Sequence, residues 1–123
     1  MKKILIVEDE LALLYALASQ FSKKQFTVFE AVDGEEGLKK AIDEQPDLIL
    51  LDLLMPKKDG MSMLKDLRKH PWGKNAKVII LTNLSDAEKV DEALKNGTYD
   101  YLVKTDWNIT QVIEKVKASL GMK

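Results

Sequence analysis

The stretch DLILLDLLMPKKDG, from Asp47 to Gly60, constrains the fold more than any other part of the chain. Leu48, Ile49, Leu50 and Leu51 form an unbroken apolar run of strand length, the pattern of a strand buried on both faces. Asp52 follows at once, and Met55-Pro56 and Asp59-Gly60 mark an irregular loop beyond it. A carboxylate where a buried strand opens onto a loop is costly unless it has a task. The outgoing ends of parallel strands are where open α/β sheets hold their chemistry.

The pattern recurs. Lys3 to Val7 (KILIV) exits at Glu8-Asp9, Lys77 to Leu81 (KVIIL) exits at Thr82-Asn83, and Tyr99 to Val103 exits at Lys104. Phe26 to Ala31 is a further β-rich run. Helices are predicted between the strands. The first runs from Glu10 to about Lys24, and the second opens at the Asp33-Gly34-Glu35-Glu36 capping box and reaches Glu44. The third runs from Met61 to about Lys69 and is stopped by Pro71. The fourth opens at Ser85-Asp86-Ala87-Glu88, with Val90, Ala93 and Leu94 inward, and ends at Gly97. The fifth is capped at Asn108-Ile109-Thr110-Gln111 and carries Val112, Ile113, Val116 and Leu120 at helical spacing.

Strands alternating with helices, strand first, predict an α/β fold: a five-stranded parallel sheet, doubly wound, with five helices on its two faces and right-handed crossovers. In the order 2-1-3-4-5, adopted from known doubly wound folds, every strand exit lies on one edge. Glu8, Asp9, Asp52, Thr82 and Lys104 then share one crevice. The first helix has two apolar stripes, one of Leu13, Ala16, Leu17 and Phe21, the other of Leu11, Leu14, Tyr15 and Ala18. One is expected to face the sheet and the other to lie opposite, as plain surface or as a docking patch.

The 123 residues allow one domain, 1–123, with one sizeable core. Nineteen basic against 20 acidic side chains, a formal net charge of −1, favour neither a polyanion nor an acidic membrane surface. Neither direct nucleic-acid contact nor a membrane partner is expected. With no cysteine, disulfides, thiolate metal sites and thiol nucleophiles are excluded. No apolar run approaches membrane-span length and no signal-peptide pattern opens the chain, so a cytoplasmic location is the expectation. His70, in the turn-rich HPWGKN, reads as a solvated loop residue, and Trp72 and Trp107 as covers for hydrophobic edges. Lys57 and Lys58 read as surface charge able to steer an acidic partner.

Three carboxylates in one crevice repel one another, and a cation or a proton must offset the charge. Glu8 and Asp9 could instead serve as N-terminal helix acids, but with Asp52 and Lys104 beside them a metal site is the sharper reading. Oxygen ligands alone favour a hard ion, Mg²⁺ (or Mn²⁺), over Zn²⁺. Lys104 and the Thr82 hydroxyl could grip an anion such as phosphate, and Asp52 could receive it as an acyl phosphate.

Across its whole length the chain resembles the receiver domains of two-component response regulators, which have a flavodoxin-like fold. The likeness is carried by Glu8-Asp9 after the first strand, LDLLMPKKDG around Asp52, LTN with Thr82, and DYLVK ending at Lys104. The resemblance implies Asp52 as phosphoacceptor, with Mg²⁺ held by Asp9, Asp52, the Leu54 backbone carbonyl and, through water, Glu8. It implies a sensor histidine kinase or phosphotransfer protein as donor. Thr82 and Tyr101 match the family's switch pair, acting with Lys104 on the face of the fourth helix, fifth strand and fifth helix, where a downstream protein or a second copy would dock. Leu54 and Leu84 stand where the family tunes dephosphorylation, and neither side chain can orient water, so a long-lived phosphoryl group is expected. Leu11, Leu14, Tyr15 and Ala18 lie on the helix that family members present to the kinase.

Three residues depart from the pattern. Glu8 stands where Asp is common, Asn83 where a small residue is usual beside Thr82, and Thr105 where a proline usually follows Lys104. The main expectation is a phosphorylation-driven switch, not a turnover enzyme, that acts by touching another protein, since the chain ends soon after its last helix. A receiver-like module unable to be phosphorylated is the first alternative, with Asn83 and Thr105 as its support. An aspartate-nucleophile phosphatase is the second; such enzymes carry a second Asp two residues after the first, where this chain has Leu54.

Overall fold

The computed structural model describes residues 1–53, 55, 58–82, 87–98, 100–103 and 107–122, with 82, 87–90, 100, 101 and 103 described in backbone only. The strands are β1 (Lys3–Val7), β2 (Thr27–Ala31), β3 (Leu48–Leu51), β4 (Val78–Thr82) and β5 (Asp100–Val103). The helices are α1 (Leu11–Lys23), α2 (Gly34–Glu44), α3 (Gly60–Lys69), α4 (Ala87–Lys95) and α5 (Ile109–Ser119), with a 3₁₀ turn at Gly73–Asn75. All strand pairs are parallel, in the order β2-β1-β3-β4-β5.

Alternation along a strand divides the apolar side chains between two helical layers. Ile4, Ile6 and Leu50 pack with Leu17 and Phe21 of α1 and Val112 and Val116 of α5. Leu5, Val7, Ile49 and Leu51 pack with Met63, Leu64 and Leu67 of α3 and Ala41 of α2. That is why β1 and β3 read as continuous apolar runs: each has a helical layer on both sides. Among the described residues no helix is long and apolar enough to cross a membrane.

Local chemistry sets the helix starts. Asp33 accepts from the Glu36 N–H at 2.8 Å, and Asp59 accepts from the Ser62 N–H at 2.8 Å. Asn108 and Gln111 form a reciprocal capping box, with bonds of 2.8 and 2.9 Å. Asp59-Gly60, expected as loop, is thus the cap and first residue of α3. Ser85, the expected cap of the fourth helix, lies outside the described residues.

Two expectations about helix faces are corrected. The α1 core stripe is Leu14, Leu17, Ala18 and Phe21, so the expected docking stripe is split: Leu14 and Ala18 are buried while Leu11 and Tyr15 are 49% and 57% exposed. Residues 14, 17, 18 and 21 follow the i, i+3, i+4, i+7 rule, and a helix apolar on most sides offers more than one such set. On α4, Ala93 is buried but Leu94 turns outward, 46% exposed. Successive helical residues lie about 100° apart, so only one of the two can centre the inner face.

Arg68 ties α3 to the far end of α4. Its Nε donates to the Asn96 carbonyl at 2.7 Å and its Nη2 to the Gly97 carbonyl at 2.7 Å. Its Nη1 reaches the carbonyls of Gly73 at 2.7 Å and Ala76 at 2.8 Å. Burial pushes its basicity down, and four backbone acceptors hold the guanidinium in place. His70 is half-buried, and its Nδ1 accepts from the Trp72 N–H at 3.3 Å; it belongs to the turn after α3 and is not simply solvated.

Candidate functional site

Parallel pairing brings the acids together. In the β1–β3 register Val7 stands opposite Leu51, so Glu8 and Asp52 are the first residues past the paired ends. The Asp52 N–H donates to the Val7 carbonyl at 3.0 Å, and the Glu8 N–H donates to the Ala31 carbonyl at 2.9 Å. Both backbones are therefore fixed by neighbouring chain and leave only the side chains to adjust. Glu8 Oε2 accepts from the Glu10 N–H at 3.0 Å, directing that carboxylate across the start of α1.

Glu8, Asp9 and Asp52 each bring one carboxylate oxygen to within 4.8 Å of the others. Glu8 and Asp52 are buried, and Asp9 is exposed, so the cluster opens to solvent on one side. Its floor is apolar, formed by Ile6, Val7, Leu17, Leu50, Leu51 and Leu81. Three acids over a low-dielectric floor form an anionic pocket whose donor set, oxygen only, suits a hard divalent cation.

Of the other half of the expected site the structure describes only backbone. The β4–β5 register pairs Thr82 with Val103, the residue before Lys104, and Ile80 with Tyr101. Thr82 and Tyr101 are described in backbone only, while Leu54, Asn83, Leu84, Lys104 and Thr105 lie outside the described residues.

The segment after Asp52 is anchored by residues to which the sequence pattern assigns no part in the site. The Gly60 N–H donates to the Leu53 carbonyl at 3.0 Å, closing the loop on itself. The Gly34 N–H, at the start of α2, donates to the Lys58 carbonyl at 2.8 Å. Lys58 is corrected from plain surface charge: its ammonium pairs with Asp66 of α3, and that contact holds the Asp66 carboxyl below the usual carboxylate range. Lys57 lies outside the described residues. A glycine directly after a helix cap, as in Asp33-Gly34 and Asp59-Gly60, was the available signal, since a helix start has no need of glycine for its own sake.

A family model described as the response regulator receiver domain matches residues 4–117. The chain is 32% identical over 122 residues to sporulation initiation phosphotransferase F of Bacillus subtilis (strain 168), covering 99% of this chain and 96% of that protein. It is also similar to a solved response regulator receiver domain protein (CheY-like) from Methanospirillum hungatei JF-1. There the TM-score is 0.91 and the identity 29%, over 98% of this chain and 94% of that one. The CheX-CheY-BeF3-Mg+2 complex from Borrelia burgdorferi aligns with a TM-score of 0.87 and 29% identity, over 97% of this chain and 89% of that one. The chain spans about half the length of other curated relatives it matches, which cover 42% to 52% of themselves with it.

Proposed function

The chain belongs to the receiver-domain family of response regulators, and from that premise we propose that Asp52 accepts a phosphoryl group in a two-component relay. The observation that carries the reading is the meeting of Glu8, Asp9 and Asp52, one oxygen from each within 4.8 Å. In the transfer, an Asp52 oxygen bonds to phosphorus as the bond from phosphorus to the donor's imidazole nitrogen breaks, and that electron pair returns to the imidazole. Asp9 and Glu8 would hold Mg²⁺ (or Mn²⁺) with Asp52, and the Leu54 carbonyl would complete the protein ligands. Bound there, the ion offsets the carboxylate charge and that of the phosphoryl oxygens. Lys104 and the Thr82 hydroxyl are the proposed grips on those oxygens; the pairing of Thr82 with Val103 supports this by setting Thr82 beside the residue that precedes Lys104 in the chain.

A phosphohistidine of a sensor kinase or a phosphotransfer protein is the proposed donor. The Borrelia relative, solved with BeF3, Mg and the protein CheX, supports both the cofactor and a protein partner. The proposed output surface is the α4, β5 and α5 face, with Tyr101 as the switch aromatic, and the chain acts there as a switch and not as a turnover enzyme. Location in the cytoplasm fits this role. The convergence of all three acids counts against a receiver-like module that has lost its site, and Leu54 in place of a second Asp counts against a phosphatase.

Incubation with acetyl phosphate and Mg²⁺ is expected to add the mass of one phosphoryl group to the wild type and none to Asp52→Asn. An equal gain in both would sink the reading. After removal of the donor the label is expected to persist for many minutes, because neither Leu54 nor Leu84 can orient water; loss within seconds would refute that part.

A further inference from the structure

The proposed site depends on a residue that belongs to none of the strands forming it. We propose that Gly34 is a positioning residue for the acid cluster: by lying flat against the returning limb of the loop after Asp52, it sets where that loop can run. The inference rests on the reading of Asp52 as a metal-assisted phosphoacceptor.

The loop leaves β3 at Asp52 and returns at Lys58 and Asp59 to start α3. Its two limbs meet tightly. A Cβ on Gly60 would lie 2.1 Å from the Asp52 carbonyl oxygen, and the Gly60 N–H bonds to Leu53 at 3.0 Å. The returning limb rests on α2 in the same way. A Cβ on Gly34 would lie 2.2 Å from the Lys58 oxygen and 2.9 Å from the Asp59 oxygen, and the Gly34 N–H already bonds the former at 2.8 Å. Both obstacles are backbone, so no rotamer change relieves them. Restoring ordinary contact calls for a shift of about 1 Å, and interiors close-packed like this one do not absorb it locally.

The limb yields more easily than the helix. Gly37, one turn along α2, lies against Val7 of β1 and Met63 of α3, where a Cβ would stand 2.9 Å from both side chains. Retreat of α2 would open that packed contact beside Glu8, whereas among the described residues the limb meets its surroundings through polar ties and no such packed side chains, among them the Gly34 bond, the Gly60–Leu53 bond and the Lys58–Asp66 pair. Displacing it pulls on Gly60 and, through the Gly60 N–H, on the Leu53 carbonyl next in the chain to Asp52. A misplacement of about 1 Å is enough to cost a preorganised site up to about 100-fold.

Gly73 provides a matched control. A Cβ there would lie 1.9 Å from the Leu67 oxygen, an equally severe backbone clash, but Gly73 sits in the 3₁₀ turn before β4, at the sheet edge opposite the acids. Mg²⁺ affinity is measured by calorimetry and the phosphorylation rate with acetyl phosphate at saturating Mg²⁺, each beside a denaturant unfolding curve, for wild type, Gly34→Ala and Gly73→Ala. Both variants are expected to lose stability. Only Gly34→Ala is expected to bind Mg²⁺ at least fivefold more weakly and to react at least tenfold more slowly. A folded Gly34→Ala that matches the wild type within twofold on both readouts, or a Gly73→Ala that loses as much, overturns the proposal. If Gly34→Ala does not fold, Lys58→Met cuts the same limb's tie to Asp66 without a clash. Weaker Mg²⁺ binding supports the proposal there and unchanged binding overturns it. A wild type that neither binds Mg²⁺ nor gains a phosphoryl group fails at the proposed function itself, a result distinct from a variant that matches a working wild type.

Discussion

Leu14 and Tyr15 are chain neighbours on α1 with opposite surroundings: Leu14 is fully buried in the core between α1 and the sheet, and Tyr15 projects from the helix. Truncating Leu14 to alanine removes buried methyl groups and leaves a cavity, and is expected to destabilise the fold by about 2 to 5 kcal/mol. Tyr15→Ala is expected to change stability by less than about 0.5 kcal/mol, the usual range for an exposed side chain. Urea unfolding of the two variants checks both values, and similar midpoints for the two would refute the assignment of faces. The same contrast decides how kinase docking can be tested. Leu14→Glu would bury a charge and unfold α1, so a loss of phosphotransfer in that variant would say nothing about docking. Leu11 and Tyr15 are the members of the proposed docking set that a partner could touch, and substitutions there leave the core intact.

Elements are joined by contacts of two kinds, and they differ in how far the sequence discloses them. Asn108 and Gln111 lie three apart and cap α5 with their own side chains, so a short motif was enough to place that helix start. The acid at each strand exit was legible for the same reason: an apolar run ending in Glu8-Asp9 or Asp52 is local, and the parallel register does the rest. Arg68 is the opposite case. Its acceptors at Asn96 and Gly97 lie 28 and 29 residues on, and a basic residue near a helix end has an ordinary explanation in the macrodipole. The Gly34 bond to Lys58 was hidden likewise, because it joins two turns that each make sense alone. The inner face of α1 is illegible for a different reason: a helix apolar on most sides allows several stripes, and packing takes Leu17 and Phe21 from one expected stripe and Leu14 and Ala18 from the other. Removing the Arg68 guanidinium takes a donor from carbonyls of two segments, 73–76 and 96–97. Arg68→Met is therefore expected to cost about 2 to 4 kcal/mol, and Arg68→Lys to recover little of it, because an ammonium cannot span the fork. Amide exchange provides the second readout. Protection should fall at the C-terminal end of α4 and around Gly73 and stay unchanged on α1; uniform loss would mean that Arg68 acts on the whole fold and not on this joint.

For the whole molecule, the acid cluster sets stability against function. Three carboxylates with oxygens within 4.8 Å of one another repel in the metal-free protein, and two of them are buried over an apolar floor that screens the repulsion poorly. In the unfolded chain Asp52 is far from the other two and the repulsion vanishes. Folding without a cation therefore carries a penalty, and removing one of the charges should relieve it. In chelator, Asp52→Asn is expected to be more stable than the wild type by about 1 to 2 kcal/mol, although it abolishes the proposed phosphoacceptor. A cation reverses the ranking, because a ligand that binds only the folded state stabilises it by mass action. Mg²⁺ at about 100 times its Kd adds about 2.7 kcal/mol to the wild type, and it adds less to a variant that has lost a ligand. Thermal unfolding of both proteins in chelator and across a Mg²⁺ series should show the two curves cross. An Asp52→Asn protein that is less stable than the wild type in chelator, or a wild type whose melting temperature ignores Mg²⁺, would mean that the carboxylates are neutralised within the chain and that no divalent ion is needed to hold them together.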